Sequence, residues 1–146
     1  MAGKANTWAN GLLLLLFNNT AFANVGNAGG LQPSSVAGSL YVSLHTADPG
    51  AAGSQTTSEI GYTSYARVAV ARSSGGFTIT GESVSPAATV SFPAGTGGSG
   101  TATYFGIGTA SSGTGVLLYS GTVTPNIVTG NGITPTLTTA STVTEA

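Results

Sequence analysis

Charge is what this sequence has least of. Three basic and four acidic side chains serve 146 residues, so 5% of the chain is charged against roughly 25% in an average globular protein. A net charge of −1 offers no basic stripe to displace counterions from phosphates, which speaks against a nucleic-acid partner. Cysteine is absent, which excludes disulfides, thiolate catalysis and cysteine-based metal sites. The single histidine, His45, has no companions with which to build a zinc site. No apolar run approaches the ~20 residues that cross a bilayer. Nucleic acid, membrane, metal and cofactor are all set aside on these grounds.

What fills the space is Gly, Ser and Thr among alternating Val, Ile, Tyr and Phe, with 40% of residues hydrophobic. Disordered chains lack that β-branched and aromatic content, so a folded, Thr-rich β-domain is expected. The strand 65–72 shows the plan: Ala66, Val68 and Val70 point one way, and Tyr65, Arg67, Ala69 and Ala71 the other. Further strands are expected at 39–46, 77–80, 89–92, 101–107, 116–120, 122–128 and 137–143. The turn Ser73-Ser74-Gly75-Gly76 predicts a hairpin between 65–72 and 77–80. The loop 95–100 reads as the most flexible of the chain. Short strands at this spacing, with no β-α-β alternation, predict an all-β fold: an antiparallel β-sandwich, jelly-roll-like or barrel, carrying a short N-terminal helix.

The start of the chain has two readings. Lys4, the apolar run 11–17 and Ala21-Phe22-Ala23 resemble a secretory signal, although the run is short and only one positive charge precedes it. The preferred reading is a docked helix over 5–17, with Trp8, Leu12, Leu15 and Leu16 on one face and Asn18-Asn19 as stop residues. Five consecutive leucines, Leu12 to Leu16, then ring the helix with apolar surface that demands cover on several sides. The expected organisation is an apolar helical segment at 1–23, a linker at 24–37 and a β-sandwich at 38–146. Removing the first segment is expected to leave a folded β-domain that no longer assembles.

Candidates for chemistry are few. Asp48, Glu59, Glu82 and Glu145 are scattered and read as turn residues, not as the paired carboxylates of a glycosidase. His45, three residues before Asp48, reads as an ordinary histidine on the polar edge of a strand, with no G-x-S-x-G elbow to suggest a triad. Gly106-Ile107-Gly108 opens like a dinucleotide fingerprint but lacks the third glycine and the helix. Asn18-Asn19-Thr20 fits a glycosylation sequon, a pattern too common to carry weight. Arg67 reads either as a contact to a partner subunit or as an internal pair with Glu59, Asp48 or Glu82. Arg72 reads as simply exposed. No enzyme is expected, and the candidate interface is Trp8, Leu12, Leu13, Leu15, Leu16, Phe17 and Arg67.

Three strings carry a family likeness. The first is Leu40-Tyr41-Val42-Ser43-Leu44-His45-Thr46-Ala47-Asp48-Pro49. The second is the strand from Gly61 to Val70. The third runs from Phe92-Pro93-Ala94-Gly95 through Tyr104-Phe105-Gly106-Ile107-Gly108-Thr109-Ala110 to Leu117-Leu118-Tyr119-Ser120-Gly121. Together they resemble a family of small tailed-bacteriophage virion proteins over residues 38–146, while the five leucines depart from the more polar helix expected ahead of such a domain. The resemblance implies a capsid decoration or cement protein on the outer surface of the virion, although similar chains are often labelled tail-fibre proteins. It also implies the major capsid protein as partner and a symmetric homo-oligomer, with a host-binding tail-fibre component as the alternative.

Overall fold

A computed structural model describes residues 3–145. Residues 1, 2 and 146, at the outer ends of the two expected segments, lie outside them. The described residues form one helix, α1 (Asn6–Asn18), and nine strands: β1 (Ser39–His45), β2 (Val68–Ala71), β3 (Phe77–Thr80), β4 (Ser83–Pro86), β5 (Val90–Ser91), β6 (Ser99–Gly108), β7 (Leu117–Gly130), β8 (Thr136–Leu137) and β9 (Val143–Thr144). Every strand pairing is antiparallel. The strands make a four-stranded sheet ordered β2-β1-β6-β7, a three-stranded sheet β3-β4-β9 and a two-stranded sheet β5-β8. The all-β, sandwich-like class with a short N-terminal helix is the architecture observed.

The helix forms where the sequence concentrates Leu, which loses little freedom in a helix. It stops where Asn19 turns left-handed at φ 52° and ψ 38°, and Thr20 N–H closes back on the Leu14 carbonyl at 3.1 Å. Ala9, Leu13 and Phe17, four residues apart, are the buried stripe. That stripe lies one position round from the Trp8, Leu12, Leu15 and Leu16 face. Phe17 meets Phe77 of β3 edge-on at 4.9 Å and Tyr119 of β7 at 5.7 Å. Leu13 and Phe17 share one core cluster with Val42, Leu44, Phe92, Phe105 and Ile107. The packing therefore runs without a break from the helix into the sheets.

Residues 24–37 are more than a linker. Phe22 and Leu31 form an antiparallel bridge, and the Asn19 amide exchanges two 2.9 Å hydrogen bonds with the backbone of Ser34. Phe22 lies flat on the helix because Gly11 has no side chain; a Cβ there would stand 2.5 Å from the ring.

Several sequence expectations are corrected. β2 spans four residues, because Tyr65 and Arg67 leave the ladder to bind Glu59. No hairpin joins 65–72 to 77–80: β2 pairs with β1, whereas β3 pairs with β4, a strand the sequence pattern did not signal. The turn at Ser73 to Gly76 carries the chain from one sheet to the other. The two runs 116–120 and 122–128 are one fourteen-residue strand, β7, whose register against β6 shifts between Ala102 and Tyr104. Pro125, which has no N–H to donate, sits in that irregularity.

Because Phe17 is fully buried among aromatic rings, Phe17→Ala should lower unfolding stability by about 3–5 kcal/mol, whereas Leu12→Ala on the outer face should cost under about 1.5 kcal/mol. Urea unfolding midpoints check the contrast. Equal losses would mean that the outer leucines are as much core as Phe17.

Candidate functional site

The outer half of α1 lines an accessible apolar cleft. Leu12, Leu15 and Leu16 line a cleft of about 350 Å³ with Gln32, Ser34, Arg72 and Tyr119. Trp8, 37% exposed, continues the surface and packs against Phe22 at a ring distance of 5.4 Å. These four are the members of the candidate interface that a partner can reach. Leu13 and Phe17 are fully buried in the chain's own core, and Arg67 is held inside the fold. The structure thus places Leu13 and Phe17, with no accessible surface, and the nearly covered Arg67 side chain in the interior of this chain.

Arg72, expected to be simply exposed, clasps the helix instead. Its Nε donates to the Leu16 carbonyl at 2.6 Å and its Nη2 to that of Leu15 at 2.8 Å. Its Nη1 donates to the Ala37 carbonyl at 3.0 Å and the Ser34 hydroxyl at 3.3 Å. A cation on the unsatisfied carbonyls of a helix C-terminus is favoured by the helix dipole as well as by the bonds themselves. Opposite it, the Tyr119 hydroxyl donates to Glu145 at 2.5 Å, and Glu145 also pairs with Lys4. The Lys4 ammonium and the Tyr119 hydroxyl hold the Glu145 carboxyl below its ordinary range; burial and that same carboxylate push the Tyr119 phenol up.

The remaining cation closes a second joint. Arg67, its side chain 3% exposed, grips Glu59 with two bonds of 2.7 and 2.8 Å and donates to the carbonyls of Ala110 at 2.9 Å and Gly113 at 2.7 Å. Tyr65 donates to the same carboxylate at 2.9 Å and accepts the Leu44 N–H at 3.1 Å. The internal pairing with Glu59 is thus the role Arg67 takes, tying the loop after β1 to the loop between β6 and β7. The bidentate Glu59 bond raises the guanidinium pKa further.

His45 is fully buried, not at a polar edge. Its Nδ1 faces the Thr57 carbonyl at 2.8 Å, so Nδ1 carries the proton and Nε2 accepts from the Ser43 hydroxyl, also at 2.8 Å. Asp48 takes no part; it caps its own turn by accepting the Gly50 N–H at 2.9 Å. A serine–histidine contact is present, but both side chains have zero exposure and the orienting group is a neutral carbonyl. Room for this histidine comes from Gly106, where a Cβ would stand 2.7 Å from both His45 Nε2 and Ser43 Oγ. Gly108 does the same for Gln55, a fully buried side chain that sequence reading passed over; its Oε1 accepts the Ala110 N–H at 2.9 Å. The G-I-G string is therefore a packing device. Among the described residues no three acidic or histidine side chains gather as a metal site, and no helix is long and apolar enough to cross a membrane.

Two outcomes follow. Arg67→Ala strips two loop carbonyls of their guanidinium donor and leaves Glu59 with the Tyr65 hydroxyl but no cation, and should cost about 3 kcal/mol; Arg67→Lys, which cannot reproduce the fork, should recover less than half in a denaturant titration. Burial depresses the His45 pKa below its ordinary 6.5, the Thr57 bond opposing only in part. The unfolded chain then binds the proton more readily, so the stability this gives is whole above about pH 6.5 and falls as pH drops through that value. Unfolding free energy should decline by up to about 1.4 kcal/mol per pH unit there, and His45→Gln should flatten the profile. The loss tied to Glu145, whose carboxyl is depressed from 4.5, belongs to a lower window below that value. An unchanged slope in His45→Gln would remove histidine from the account.

A family model matches residues 3–144: podophage GP4 fiber I protein gp80. No curated protein matches the chain. With all but the extreme ends of the sequence covered, the chain belongs to the podophage GP4 fiber I protein gp80 family, and is a bacteriophage structural protein of the virion, fibre-like in kind.

Proposed function

We propose that this protein is a capsid decoration (cement) module that binds the major capsid protein lattice on the outer surface of the head as a homo-oligomer, with no catalytic role. The observation that carries this reading is the accessible leucine face of α1. Leu12, Leu15 and Leu16 stand half-buried around an open cleft while the polar side chains of the fold bind one another. Apolar surface of that kind gains about 25 cal/mol for each Å² removed from water. Repeated over a lattice, a modest gain per copy becomes a large resistance to outward pressure. The non-enzymatic part of the proposal is supported by the burial of Ser43 and His45. The exclusion of nucleic acid and membrane from the partners is supported by the internal engagement of Lys4, Arg67 and Arg72.

The second reading, a fibre component that adsorbs to a host surface, is favoured by the family's fibre description. Against it, the exposed loops 95–98 and 109–116 contain no aromatic residue on which a receptor sugar could stack.

Labelling the protein in intact virions separates the two. Copies spread over the head lattice are expected; copies confined to the tail would overturn the decoration reading. A companion variant, Leu15→Asp, should keep the fold and lower binding to heads by at least about tenfold, as a charge in an apolar contact does. Undiminished binding would remove the leucine face from the interface.

A further inference from the structure

The four-stranded and two-stranded sheets present open edges to the same groove. β2 lines one side and residues 88–91 the other, around a volume of about 260 Å³. Which backbone groups face the groove follows from the register. Arg72 N–H donates to the Gly38 carbonyl, and Val70 and Val68 stand opposite Leu40 and Val42. Even-numbered residues of β2 therefore bond inward to β1, and the N–H and C=O of Ala69 point away from it. On the other wall, Phe92 N–H donates to the Pro135 carbonyl, and Val90 stands opposite Leu137. The N–H and C=O of Ser91, and by alternation those of Thr89, then point away from β8. None of these outward groups on Ala69, Thr89 or Ser91 has a hydrogen-bond partner among the described residues.

Edges of this kind are ordinarily protected by lysine, proline, a bulge or a covering loop. Here the exposed positions are Ala69, Ala71, Thr89 and Ser91, small and uncharged, above an apolar floor of partly buried Val68 and Val70 and buried Val90. One end is closed where Ala87 N–H donates to the Gly76 carbonyl at 2.9 Å. The other edge strand of the large sheet, β7, has the protection this groove lacks, in Pro125 and its register shift.

We propose that the groove receives an extended, uncharged segment of another polypeptide as an added β-strand, hydrogen-bonded to β2 on one side and to residues 89–91 on the other. The complement of two rows of outward N–H and C=O groups is extended backbone. The absence of charge on both walls favours a Thr-, Val- or Ala-rich segment with alternate apolar residues over the valine floor. A second copy of this chain fits less well. Among the described residues its helix, its 24–37 loop and its Lys4–Glu145 closure are all fastened down, leaving no extended segment free to donate. The inference stands whether the protein sits on head or tail.

The test uses the full chain, isotope-labelled, and a blocked Thr-Val-Thr-Val-Thr-Val peptide as probe. With peptide in excess, amide exchange at Ala69, Thr89 and Ser91 should slow by at least about tenfold while other amides hold steady. The same peptide N-methylated at alternate residues should not protect them. Ala69→Pro removes one outward N–H without touching the β1 ladder and should abolish the effect; Ala69→Lys, an ordinary edge guard, serves if the proline variant does not fold. Protection of these amides in the dilute free protein, or no response at millimolar peptide, would overturn the proposal. So would peptide protection that survives the Ala69 variants. Protection that grows with protein concentration alone would replace the foreign strand with a second copy.

Discussion

Arg72 reaches from the end of β2 to the last carbonyls of α1, and the rest of the arrangement depends on that clasp. It fixes the C-terminal turn of the helix against the strand that edges the large sheet. With that end held, Phe17 is wedged between Phe77 and Tyr119, so that one side chain joins the helix to two different sheets. The helix can then show only its other half to solvent, and the cleft of Leu12, Leu15 and Leu16 is the surface left over. Arg72 forms one wall of that cleft. The same guanidinium that secures the helix thus also places the apolar surface a partner would meet.

Scarcity of charge gives the other cations similar weight. Lys4 with Glu145 and Tyr119 draws the two ends of the described chain together, and Arg67 with Glu59 and Tyr65 knots the loops at one end of β1 and β6. The Lys4–Glu145 pair and the bonds from Arg67 to the Ala110 and Gly113 carbonyls link segments far apart in sequence, where the entropy of closing a long loop is greatest. Each is at least partly withdrawn from water, where a charge-assisted bond is stronger but a missing partner costs more. Among the described residues no buried side-chain polar atom lacks a hydrogen bond. Few cations suffice because Arg67 and Arg72 each donate to several acceptors.

How much of this the sequence disclosed follows from what each feature depends on. The helix and its stop at Asn19 were legible, because leucine run and left-handed asparagine are local signals. So were β1, β3 and most of β6, where alternation is clean. The stripe of the helix that turns inward was not, since five leucines in a row carry no phase; Ala9 and Phe17 decide it, through a contact with Phe77 sixty residues on. The partnership of Arg67 was left open between partner and interior, because an alternating strand fixes the face of a side chain and not its reach. The clasp of Arg72 is not legible for a related reason: its acceptors are mostly backbone carbonyls, which no residue pattern announces. The two glycines around Ile107 looked like a nucleotide motif because composition shows a missing side chain without showing what occupies the vacated space.

The surfaces that remain determine how this protein can associate. With its cations engaged internally, what faces outward is an apolar cleft, a Thr- and Ser-rich exterior and two bare strand edges. Contacts made from such surfaces rest on area removed from water and on backbone hydrogen bonds, and both are little screened by salt. Long-range steering is correspondingly weak, so encounter is slow unless the partner is held at high local concentration. The capsid lattice proposed for this protein would supply that condition, since each site there would have neighbours of the same kind. The low charge that leaves the sequence almost without chemistry is thus compatible with a protein whose task is to be held in place.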